Sequence, residues 1–103
     1  MNIQIQGENW IVEVIETDRF IKKCGDGIAG ITDTVNKQIL FCEDDFNKET
    51  IAHELAHAYF SCTCTTSAHL DSEQMEEIWC ELIAKYAATI VRQTNKIYKE
   101  LKE

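Results

Sequence analysis

Ile51-Ala52-His53-Glu54-Leu55-Ala56-His57-Ala58-Tyr59 is the stretch from which the rest of the chain is read. It holds two of the three histidines of a 103-residue protein, four positions apart, with a glutamate beside the first. On an α-helix, residues i and i+4 lie on one face, a turn apart. Two imidazoles so placed can grip one Zn²⁺, and a carboxylate next to the first can reach a water on that ion. The spacing therefore predicts a helix here with His53 and His57 as metal ligands and Glu54 as general base. The alternative is a pair of histidines on a partly buried helix without metal. Asn47 can cap the helix, and Phe46 and Ile51 stand at the two positions of a hydrophobic staple. Ile51, Leu55, Ala58 and Cys62 form the apolar stripe, with His53 and His57 at its border, and the helix should end near Ser61.

Downstream, Asp71 and Gln74 make a capping box and Leu70 and Met75 a second staple, so a second long helix should start near Asp71. Met75, Ile78, Trp79, Leu82, Ile83, Tyr86 and Ile90 supply its apolar face, and its last turns, from Tyr98, are expected to fray. The link between the helices, about Thr63 to Leu70, is short, so they should pack as a hairpin. Upstream, Trp10 to Glu16 is rich in β-branched residues and reads as a strand. Gly25-Asp26-Gly27 is a turn, Ile28 to Thr32 a second strand, Asp33 to Lys37 a turn, and Gln38 to Cys42 a third strand, the last two strands forming an antiparallel hairpin. All four glycines lie in the first 30 residues and there is no proline. The expectation is one α+β domain over residues 1–103, a small antiparallel sheet of about three strands followed by two packed helices.

A net charge of −8 argues against a nucleic-acid partner, because phosphate binding needs a basic face. No apolar run approaches a membrane span, and Met1 to Gln6 lacks the basic and apolar regions of a secretion signal. A cytosolic protein is expected, with its five cysteines as free thiols. Cys62-Thr63-Cys64 reads as the end of the first helix rather than a metal pair, since no second cysteine pair completes a four-sulfur site.

A catalytic zinc usually takes three protein ligands and a water. The second helix offers Glu73, Glu76, Glu77 and Glu81, and the interhelical loop offers His69. Glu77 is expected to close the site, with Glu81 accepting a hydrogen bond from a histidine Nδ1–H so that the ring is aimed at the metal. Glu81 is the competing candidate for the ligand itself.

With these residues the chain resembles a minimal gluzincin, a zinc metallopeptidase carrying H-E-x-x-H on one helix and a glutamate on the next within E-x-x-(small)-(acidic or Asn). Glu77-Ile78-Trp79-Cys80-Glu81 fits that pattern, with Glu81 standing where relatives usually have Asp or Asn. Gly30 through Glu81 is also similar to small phage-associated and ImmA/IrrE-type metallopeptidases, in which a short hairpin precedes the metal helix. The resemblance implies a zincin-like fold, zinc-dependent hydrolysis of a protein or peptide, and a substrate laid along the strand before the metal helix, here Ile39, Leu40, Phe41 and Cys42, as the sheet edge. It also implies a Tyr or His that stabilises the oxyanion, for which His69 and Tyr59 are the candidates. Two other classes compete: a zincin-like module that holds metal and works through protein contacts, and a zinc-stabilised structural protein of a phage or mobile element.

Overall fold

Ile3 and Ile5 alternate with polar neighbours ahead of Gln6 and Gly7, and this stretch forms a first strand, β1 (Asn2–Ile5). Gln6 and Gly7 both adopt positive φ, 49° and 81°, the geometry of a tight two-residue hairpin turn. β2 (Glu8–Ile15) returns antiparallel to β1. A short helix, α1 (Thr17–Cys24), follows, then β3 (Gly30–Asp33) and β4 (Gln38–Cys42), paired antiparallel. A 3₁₀ turn at Glu43–Asp45 leads into α2 (Lys48–Thr63), and α3 (Ser72–Leu101) closes the chain. The computed structural model describes residues 1–63 and 71–102.

The fold is α+β, with a four-stranded sheet in the order β1-β2-β4-β3. The sheet is mixed rather than antiparallel, because β2 and β4 run parallel, with Val12 opposite Ile39 and Val14 opposite Phe41. That pairing is possible because α1 and β3 supply the crossover between two parallel strands. β1 and α1 are the elements beyond the expected set. The central position of β4 also corrects the expectation that Ile39 to Cys42 form a sheet edge. β4 has a neighbour on each side, and β3 is the edge strand. Ile39, Leu40, Phe41 and Cys42 are all buried, as a strand covered on both faces must be.

Two apolar layers flank the sheet. Trp10, Val12, Ile39 and Phe41 meet Ile51, Leu55 and Ala58 of α2 and Leu82, Ile90 and Ile97 of α3. On the other face, Ile15, Leu40 and Cys42 meet Phe20, the buried residue of α1. α2 starts where its sequence says it should: Asn47 Oδ1 accepts the Thr50 N–H at 2.8 Å. The capping box of α3 forms in full, with Asp71 accepting from Gln74 N and Gln74 Oε1 from Asp71 N. The end of α3 stays helical to Leu101 because Tyr98 stacks on Phe46, with Lys48 and Lys102 over its ring. Among the described residues no helix is long and apolar enough to cross a membrane.

The turn between β3 and β4 is built on one carboxylate. Asp33 Oδ1 accepts the N–H groups of Val35 and Asn36, and Oδ2 accepts from Asn36 Nδ2, while Lys37 takes φ 56°. The Asn36 backbone N–H, followed by the Asn36 side chain, holds the Asp33 pKa below its ordinary 3.8. A depressed carboxylate stabilises the fold above its unfolded pKa and loses that contribution as pH falls through the folded value. The Val35 and Asn36 amide signals are thus expected to shift on acidification with a midpoint below 3.8 in an NMR titration. Movement centred above 3.8 would contradict this account.

Candidate metal centre

α2 brings together the three groups its sequence points to. His53 Nε2 and His57 Nε2 lie 3.2 Å apart, and the rings meet edge-on with centroids 4.8 Å apart. Both histidines are exposed, whereas Glu54 between them is only 6% exposed. Glu54 Oε2 lies 3.8 Å from His53 Nε2. His53, Glu54 and His57 form a group that can hold a metal ion, and among the described residues it is the only one. The sequence did not indicate how Glu54 is anchored. The Thr32 hydroxyl, on β3, lies 2.7 Å from Glu54 Oε1, to which it donates, and 3.0 Å from the Glu54 carbonyl oxygen.

Gly30 explains how a strand comes so close to a helix. A Cβ at this position would stand 3.0 Å from Glu54 Cγ, 3.2 Å from the Leu40 carbonyl oxygen and 3.2 Å from Phe41 Cδ1. The last two belong to the sheet core and cannot move easily. Gly30→Ala is expected to lower stability by about 1–3 kcal/mol, as overpacking does, and to displace Glu54. Urea unfolding measures the first, and the Thr32–Glu54 contact in a structure of the variant measures the second. A variant as stable as wild type would show that this approach is not tight. A glycine opening a strand is the sequence signal that could have pointed here.

The site lies on the open edge of the sheet. A cleft of about 490 Å³ is bounded by Gly30, Thr32, His53, Glu54, His57 and Phe60. A second of about 520 Å³ shares Gly30, His53 and Glu54 and extends towards Gly27 and Asn47. Together they make a trough along β3 on both sides of the cluster. Ile31 pairs with Leu40, and the Cys42 N–H donates to the Ala29 carbonyl, so the backbone N–H and C=O of Gly30 and Thr32 point away from β4. Among the described residues no backbone group pairs with them. A cleft of about 580 Å³ elsewhere contains Glu16 and Glu43 but no histidine or cysteine.

Other expected members of the site lie elsewhere. Glu77 and Glu81 are exposed on α3 and stay outside the cluster, so the expectation that one closes the centre and the other braces a histidine is corrected. The reason is helical phase. Trp79 stacks on Phe60 of α2 and Leu82 is buried, which fixes the face of α3 turned to α2. Glu77 and Glu81 are each two residues from Trp79, roughly 200° around the helix, and point the other way. Tyr59 is corrected as an oxyanion stabiliser for the same kind of reason, being two residues past His57. It is buried against Tyr86, and its hydroxyl donates to Gln93 Oε1 at 2.8 Å. Burial is the main cause that raises its pKa above 10.0, so it remains a hydroxyl donor at neutral pH. His69 lies outside the described residues. The chain matches no family model, no curated protein and no solved structure.

Proposed function

We propose that the protein is a zinc-dependent peptidase, with His53 and His57 as metal ligands, Glu54 as general base and β3 as the strand along which an extended peptide lies. The observation that carries this reading is the pair of imidazole nitrogens 3.2 Å apart beside a buried, anchored carboxylate. Two bonds of about 2.0–2.1 Å to one tetrahedral zinc require nitrogens about 3.4 Å apart, which this pair meets with little adjustment. Two imidazoles with an adjacent carboxylate suit zinc better than magnesium or calcium.

Held by His53 and His57, zinc would supply Lewis acidity, making a nearby water more acidic and a scissile carbonyl more electrophilic. Thr32 occupies Glu54 Oε1, which leaves Oε2, the oxygen nearer His53, to take the proton of the attacking water. Glu54 then passes that proton to the leaving amine. The outward backbone groups of Gly30 and Thr32 hold the peptide as an added strand across the mouth of the cluster. The shift of this edge from β4 to β3 keeps the substrate beside His53 and Glu54. Its cytosolic setting would keep Cys24, Cys42, Cys62 and Cys80 as the free thiols they are in the fold.

A second reading is a metal-braced peptide-binding module, favoured by the outward turn of Glu77 and Glu81, which leaves the metal no carboxylate from α3. Zinc titration by calorimetry together with cleavage of a random peptide library separates the two. Zinc uptake with cleavage supports the peptidase. Zinc uptake without cleavage of any sequence supports the module, and absence of zinc uptake ends both.

A further inference from the structure

α3 has a second apolar face. Cys80, Ile83, Ala84, Ala87, Ala88 and Val91 follow the i, i+3, i+4, i+7, i+8, i+11 pattern of an amphipathic stripe, and every one of them is exposed. Ile83 and Val91 are each 59% exposed. This stripe is separate from the buried face formed by Leu82, Ile90, Thr94 and Ile97. Before Ile90 the helix has a single buried side chain, Leu82, so its first half is held by little of the molecule's own core.

Charge along the same helix is divided. Glu73, Glu76, Glu77 and Glu81 precede Ala84, whereas Lys85, Arg92, Lys96 and Lys99 follow it, and the next acid is Glu100. Compensation of the helix dipole explains such charges only in the first and last turns. It does not reach Glu81 or Arg92. A parallel pairing of two such helices would set acid against acid. An antiparallel pairing sets the acidic half of each against the basic half of the other, and the three alanines at the centre let the backbones approach.

We propose that the exposed stripe of α3 is a self-association surface, on which two copies of this chain pair antiparallel about the alanines. In a two-fold antiparallel pair, like flanks meet. Glu81 of one copy then faces Arg92 of the other. This pairing uses none of the groups of the metal centre.

Sedimentation equilibrium tests it, with the full chain at up to roughly 100 µM, a range that detects a dissociation constant of about 100 µM or tighter. Wild type is expected to be a dimer that weakens as salt is raised. Ile83→Glu should raise the dissociation constant at least about tenfold, about 1.4 kcal/mol, with an unchanged circular dichroism spectrum, because the side chain is exposed in the single chain. Glu81→Arg alone and Arg92→Glu alone should each weaken the dimer, and the two together should restore it, since the swapped pair is again opposite in sign. A monomer throughout the range overturns the proposal. So does a dimer indifferent to Ile83→Glu, or one that the double charge swap fails to restore.

Discussion

Glu54→Gln is expected to bind zinc as wild type does and to lose peptide hydrolysis by about 10²–10⁴-fold, the usual contribution of a positioned general base. The substitution is nearly isosteric. An amide oxygen can still accept from the Thr32 hydroxyl, so the buried side chain keeps its anchor and the Gly30 contact keeps its shape. Only the capacity to take a proton is removed. Parallel measurements of zinc stoichiometry and of turnover on a cleaved library peptide read the two effects separately. Loss of zinc instead would mean that Glu54 is a ligand. Unchanged turnover would place the base elsewhere and remove the mechanism proposed for this carboxylate.

Removing either imidazole should act the other way round. His53→Ala and His57→Ala are each expected to abolish zinc binding and, with it, the rise in Tm expected of wild type on adding zinc. At a zinc concentration a hundred times Kd, that rise corresponds to about 2.7 kcal/mol, on the order of ten degrees for a domain of this size. Without zinc, both variants should stay within about 0.5 kcal/mol of wild type, because the His53 side chain is 67% exposed and His57 is exposed as well. Differential scanning calorimetry with zinc and with a chelator measures all four quantities. A variant that still gains the full zinc shift would exclude that histidine as a ligand.

The two long helices were legible because their signals are local. Asn47, Asp71 and Gln74 cap where capping chemistry demands, and Ile51, Leu55 and Ala58 bury as their spacing requires. The histidine pair follows from helical geometry alone. What the sequence did not yield depends on how elements meet. β4 is the instructive case. Its unbroken run from Ile39 to Cys42 already differs from the alternation of a strand with one wet face, and that difference separates an inner strand from an edge. β1 carried a signal as well, in the alternation of Ile3 and Ile5 ahead of Gly7. α1 offered less, with one buried residue in eight. Glu77 and Tyr59 were misplaced because a pattern along the chain does not say which side of a helix its neighbour will occupy. Trp79 and Gln93 settle that.

Gln93 has a further effect. Besides receiving the Tyr59 hydroxyl, its Nε2 donates to the Gln4 carbonyl at 2.8 Å, one of the groups through which β1 would accept another strand. The two rims of the sheet are therefore unequal, one partly sealed by a side chain of α3 and the other open at β3. Rim-to-rim growth without end needs both to be free. The Gln93 contact accordingly removes one of the acceptors through which a further strand would dock on β1, while the rim at β3 keeps its outward backbone groups.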